Sequence, residues 1–188
     1  MTIMPEGQRD ALEVLTSDHR EVERLFAAYQ GSTDAEQRRQ LIDRVTIALV
    51  QHAVAEEEYL YPALRTAIPH GDQVADAELA RQSAVEETLN SLDDLNPAHE
   101  RFEALVRQLM DEVSAHIRSE EDTIFPQLAT HLSAEQRMGL GLHLLSAKRT
   151  APTHPHPEAP DKPPLNKLIN PGVALVDRVR DWLSGRTR

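Results

Sequence analysis

The chain contains no cysteine. That single absence excludes disulfides, thiolate zinc sites, iron–sulfur ligation and cysteine nucleophiles. Aromatic residues make up only 4% and there are 7 glycines, against 40% hydrophobic residues overall. A turn-rich β-sandwich is thereby disfavoured, and a helical protein with an aliphatic core is expected. No run approaches 18 consecutive apolar residues, and Met1 to Arg9 shows no charged segment followed by an apolar one. Neither a membrane span nor a secretory leader is expected, and the cytoplasm is the expected compartment. A glycine-rich phosphate loop and a nucleophile–base arrangement are also missing.

What the chain has in quantity is imidazole and carboxylate, with 9 His and 31 Asp plus Glu in 188 residues. These are nitrogen and oxygen donors suited to Fe, Mn or Zn. The net charge of −11 is uneven, at −14 over residues 1–148 and +3 over 149–188. An acidic main body lacks the basic face that nucleic-acid phosphates require, so no nucleic-acid partner is expected.

Hydrophobic periodicity places four long helices. Asp10-Ala11-Leu12-Glu13 reads as a capping box, and Leu12, Leu15, His19, Val22, Phe26 and Tyr29 follow at helical spacing up to Gly31. Thr33-Asp34-Ala35-Glu36 opens a second stripe through Leu41, Val45, Leu49, His52, Glu56 and Tyr59, ending between Pro62 and Pro69. Leu79, Gln82, Val85, Leu89 and Leu92 form the third stripe, closed by Asn96-Pro97. Pro97 reads as the first residue of a fourth helix carrying Phe102, Leu105, Leu109, Val113, His116, Glu120 and Ile124. Ser133 to Ala147, capped by Ser133 and Gln136, is a shorter fifth helix. The expected fold is all-α, an up-down four-helix bundle with a short fifth helix and a C-terminal appended helix.

Residues 1–148 read as the domain. Six prolines between Pro152 and Pro164 mark an extended linker over 149–170. Val173, Val176, Val179 and Leu183 make 171–188 an amphipathic helix. It reads as docking on the bundle or on a second copy, giving a homodimer, rather than as a membrane-surface anchor.

An internal repeat organises the bundle. At an offset of 64 residues, His52, Glu56, Glu57, Pro62 and Leu64 recur as His116, Glu120, Glu121, Pro126 and Leu128, with Tyr61 matched by Phe125. A weaker match at an offset of 63 pairs His19 with Gln82, Val22 with Val85 and Glu23 with Glu86. The chain is thus two helical hairpins. His-x-x-x-Glu occurs at six places and means little alone. Only His52/Glu56 and His116/Glu120 lie inside the repeat and on an apolar stripe, where residues four apart share a face. Two Glu directed into a core would each cost several kcal/mol or shift until neutral, and with three internal His they are hard to satisfy by hydrogen bonds alone; a metal supplies the missing charge. Glu57, Glu58, Glu121 and Asp122 read as a solvated face, each able to hydrogen-bond a ligand from behind.

These motifs, in this order over residues 10–130, resemble the hemerythrin-like HHE cation-binding domain. The resemblance implies a non-haem di-iron (Fe) centre with oxo or hydroxo and carboxylate bridges. His19, His52 and His116 would be terminal ligands, and Glu56 and Glu120 bridges. One departure stands out: the family has a His on the third helix, where this chain has Gln82. Gln82 would be a weak neutral ligand or cap a vacant position. Tyr59 on the same stripe could replace it as a phenolate or be an ordinary core tyrosine, and Glu86 is a further candidate. A tyrosinate would favour ferric iron, which works against reversible O2 carriage.

The expected function is therefore a di-iron protein that binds or reacts with O2, peroxide (H2O2) or nitric oxide (NO), including catalase-like peroxide decomposition. The alternatives are a metal- or oxygen-responsive sensor module without turnover, and a zinc or manganese site that only stabilises the bundle.

Overall fold

Asp10 starts the first helix: extended itself, it accepts the Leu12 amide through Oδ1 at 2.9 Å. In a computed structural model describing residues 9–93 and 95–155, α1 then runs Ala11–Gly31. Helix α2 (Ala35–Ala55) is capped by Asp34, which accepts the Gln37 amide at 2.7 Å. The cap thus sits one residue later than the Thr33 box predicts. A π-helical turn, π1 (Glu56–Leu60), joins α2 to α3 (Tyr61–Ala67) in one rod. Helix α4 spans Gly71–Asp93. The second rod is α5 (Phe102–Ser119), π2 (Glu120–Ile124) and α6 (Phe125–His131). Helix α7 (Ala134–Thr150) closes the order, with Ser133 and Gln136 forming the expected capping box. Among the described residues there is no strand, and no helix is long and apolar enough to cross a membrane.

Pro97 does not open α5. The Asn96 side chain takes the Ala98 amide at 2.8 Å and the Asn96 carbonyl takes His99 N–H, so residues 97–101 form turns and the helix begins at Phe102. After α7, Ala151, Thr153 and His154 are buried, and His154 Nδ1 lies 2.9 Å from the Asp93 carboxylate on α4. Residues at the start of the expected linker are therefore packed, and His154 is a partnered histidine. The rest of that linker and the helix expected over 171–188 lie outside the described residues.

Each π turn stands one residue short of a proline of the repeat, with Tyr61 or Phe125 between. Pro62 and Pro126 have no N–H to close an α turn, and in an α-helix their rings would crowd the carbonyl four residues back. The wider turn relieves this, with Tyr61 N–H bonding Glu56 O and Phe125 N–H bonding Glu120 O.

The antiparallel neighbours α1 and α2, and α4 and α5, pack as hairpins, while α7 lies against α1 and α2. Two apolar clusters fill the interior. One gathers Val22, Phe26, Leu41, Val45, Leu49, Leu89, Leu109 and Val113; the other gathers Leu15, Leu60, Leu64, Ile124, Leu128 and Leu144. His19, His52, Glu56, His116 and Glu120 fall between them along the helices, all buried. A polar layer therefore separates two hydrophobic halves.

Candidate metal centre

His19 comes from α1, His52 and Glu56 from the α2–π1 junction, and His116 and Glu120 from the α5–π2 junction. His19 Nε2 lies 3.1 Å from Glu120 Oε2, and His52 Nε2 lies 3.1 Å from Glu56 Oε1. His116 Nε2 lies 3.6 Å from Glu120 Oε2 and 3.7 Å from Glu56 Oε2. Donor atoms of His19, His52, His116 and Glu120 all fall within 4.8 Å of one another. The five residues predicted as ligands thus meet at one point.

The outward nitrogen of each ring faces a carboxylate. His19 Nδ1 is 2.7 Å from Glu121, His52 Nδ1 is 3.3 Å from Asp18, and His116 Nδ1 is 3.3 Å from Glu78. An Nδ1–H donated to each carboxylate leaves the Nε2 lone pair directed inward. The inner atoms have nothing to bond: all three Nε2 atoms, Glu56 Oε1 and both Glu120 oxygens are buried without a hydrogen-bond partner. Lone pairs facing carboxylate oxygens in a dry interior repel unless a cation lies between them. The residues present fit a metal.

Without a cation, protons must serve. Burial favours a neutral His52 ring, but Glu56 and Asp18 outweigh it and push its pKa up to about 9. Burial and the neighbouring His52 charge press His19 down to about 4. Burial favours a neutral Glu56 too, yet His52 and His116 hold it down at about 2. Glu120, buried and beside Glu56, is driven well above the carboxylate range.

Gln82 is buried on α4 and donates its amide to Glu56 Oε2 at 2.5 Å, while its own Oε1 is without a partner. The position lacking a histidine therefore fixes a carboxylate through its amide N–H. Tyr59 is elsewhere: its ring stacks on His143 of α7, with centroids 5.0 Å apart and planes 9° from parallel. The tyrosine that reaches the centre is Tyr61, whose hydroxyl donates to Glu56 Oε2 at 3.1 Å. Burial and Glu56 raise its pKa well above the usual value, which keeps it a phenol. The π turn explains the exchange, because one extra residue in the turn carries position 61 to the face that α-helical counting gives to earlier positions. Glu86 is half-buried and is not in the group whose donor atoms converge.

Phe125, the repeat partner of Tyr61, stacks on His19 at 5.8 Å with planes 3° apart. Glu121 backs the His19 ring as its sequence position allowed. Glu58 is buried rather than solvated. Asp18 and Glu78 escaped the sequence reading because each serves a histidine on another helix.

Iron-loaded Tyr59→Phe should keep the metal content and visible spectrum of the parent protein. Tyr61→Phe should keep the metal but shift that spectrum, since Glu56 loses a hydrogen bond of about 1 kcal/mol. A spectrum altered only by Tyr59→Phe would reverse this assignment.

Residues 10–128 match the hemerythrin HHE cation binding domain. The chain belongs to this family. An uncharacterized hemerythrin-like protein of Schizosaccharomyces pombe (strain 972 / ATCC 24843) is 26% identical over 172 residues, covering 91% of this chain and 85% of the yeast protein. A protein described as a DNA nickase of Nostoc sp. (strain PCC 7120 / SAG 25.82 / UTEX 2576) is 36% identical over 125 residues. That match takes in 66% of this chain but 35% of the nickase, so the shared part is about a third of that protein. The crystal structure of a hemerythrin HHE cation binding domain-containing protein from Mycobacterium kansasii superposes with a TM-score of 0.65 at 22% identity, over 75% of this chain and 86% of that one. At this identity the likeness is one of fold. Lys148 and the rest of α7 lie beyond the residues that match the family.

Proposed function

We propose that this HHE-domain chain is a non-haem di-iron protein that binds or reacts with O2, peroxide or nitric oxide. The observation that carries the reading is the set of inward Nε2 and carboxylate oxygen atoms, buried and unbonded, with every ring backed by a carboxylate. His19, His52 and His116 would be the terminal ligands, with Glu56 and Glu120 between the metals. A bound iron pair supplies redox chemistry toward small oxidants.

The chain's own residues decide what can reach that pair. Beside the three imidazoles lies a void of about 10 Å³, lined on its apolar side by Val22, Leu49, Val113 and Ile117. That space is about the size of a single water, so it offers a small ligand an apolar approach to the imidazoles and no room for a bulky one. Tyr61 and Gln82 hold Glu56 Oε2 from two sides, so this carboxylate keeps its orientation. Phe125 covers one face of the His19 ring. Nucleic acid has no part in the reading, because residues 1–148 carry a net charge of −14.

Protein purified after growth with iron should contain about two iron ions per chain, and its optical spectrum should change on adding peroxide, O2 or nitric oxide. Iron well below one per chain with zinc or manganese in its place, or a spectrum indifferent to all three, would overturn the proposal.

A further inference from the structure

The three carboxylates behind the imidazoles are themselves held by cations, but from different places. Arg20, beside His19 on α1, bonds Glu121. Arg81 bonds Glu78 at 2.6 Å, one turn away on α4. Both arginine side chains are nearly half exposed, at 48% and 45%. Asp18 is held by Lys148, whose Nζ donates to Oδ1 while Oδ2 faces His52 Nδ1. Lys148 is 21% exposed and stands in the last turn of α7, outside the four helices of the bundle. Its position is imposed by packing: Arg137 bonds the Asp10 cap of α1 at 2.7 Å, and His143 stacks on Tyr59 of π1.

We propose that Lys148 is a positioning residue of the metal centre: by holding Asp18, it sets how strongly His52 donates to the metal and thereby tunes the metal's reduction potential. This rests on the di-iron reading. A carboxylate on a ring N–H draws the proton outward and makes the opposite nitrogen a stronger donor. A cation on the other carboxylate oxygen withdraws part of that negative charge. Solvent screens the exposed Arg20 and Arg81 more than Lys148, so the largest such effect falls on His52. Lys148 keeps His52 the weaker donor, which favours the reduced metal.

The test is redox titration of the iron-loaded full-length chain, followed optically, for the parent protein, Lys148→Met, Lys148→Arg and Arg20→Met. At a fixed applied potential, Lys148→Met should lower the ratio of reduced to oxidised iron about tenfold, equivalent to about 59 mV for one electron. Lys148→Arg and Arg20→Met should stay within about threefold of the parent, and iron content should be equal in all four. A Lys148→Met ratio within threefold of the parent, with iron bound, overturns the role of Lys148 and leaves the di-iron reading intact. A parent protein that takes up no iron overturns both. If Lys148→Met does not fold, Lys148→Gln carries the same expectation, and failure of both to fold assigns the lysine a structural role and overturns the proposal.

Discussion

Replacing Glu120 by glutamine should raise the thermal stability of the metal-free protein and lower that of the iron-loaded one. Glu120 is fully buried with neither oxygen hydrogen-bonded. Its charge in the empty site is opposed by burial and by Glu56, the two largest causes of its raised pKa. Glutamine keeps the shape without the ionisation that the folded site resists, so above the acid's ordinary pKa it should stabilise by about 2 kcal/mol, or about 4–8 °C in a domain of this size. With iron the sign reverses. The carboxylate is then a ligand, and its loss forfeits the stabilisation that binding to the folded state provides. Iron content of Glu120→Gln should fall below about half of the parent's, in line with the weak ligand strength of a neutral amide.

The same substitution carries a pH signature. An acid whose folded pKa is raised binds more protons folded than unfolded, so its contribution to stability falls as pH rises from its ordinary value of 4.5. The metal-free parent should therefore lose stability relative to metal-free Glu120→Gln as pH rises from 4.5. Scanning calorimetry of chelator-treated and iron-loaded samples of both proteins checks the prediction. A lower melting temperature for metal-free Glu120→Gln at neutral pH would mean that the empty site satisfies Glu120 in some other way.

The second large effect is expected at α7. A Cβ on Gly141 would lie 2.1 Å from the Arg9 carbonyl oxygen and 3.1 Å from the Ala11 amide nitrogen. Both are backbone atoms at the start of α1, so neither can swing aside. Gly141→Ala should cost about 2–3 kcal/mol, as overpacking a tight contact does. It should also push α7 outward and carry Lys148 away from Asp18. Gly139 gives the control on the same helix, because nothing lies within 4 Å of an added Cβ there. Gly139→Ala should stabilise by about 0.5–1 kcal/mol through helix propensity alone. Denaturant melts of both variants decide it. Equal effects of the two substitutions would show that α7 does not depend on this close approach.

Much of the bundle was legible because its information is local. The Asp10 and Ser133 caps and the apolar stripes lie within a few turns of helix, and the repeat at offset 64 copies one such local segment; together they bring His52, Glu56, His116 and Glu120 to a common layer. Three things were not legible. The start of α5 depends on Asn96 capturing a nearby amide in competition with the helix. Tyr61 was hidden by counting at 3.6 residues per turn through a turn that holds more. Asp18, Glu78 and Lys148 act on histidines of other helices, so no spacing within a helix marks them. Gln82 sits at the centre as its place in the repeat predicts, but its bond to Glu56 depends on a contact across helices.

The two π turns also bear on how the bundle keeps its symmetry. Each is in effect one residue inserted into a helix, and one residue is about 100° of rotation for everything beyond it. Had only one rod gained it, the side chains of α3 and α6 would meet the core at unlike angles. Both rods gain it, at matching positions and in the same sense. Tyr61 and Phe125, Leu64 and Leu128 therefore remain counterparts and all four are buried. A paired insertion is a rotation that the two hairpins share, and so the far half of the bundle turns as a unit while the Glu56 and Glu120 carboxylates stay in register at the point where the turning begins.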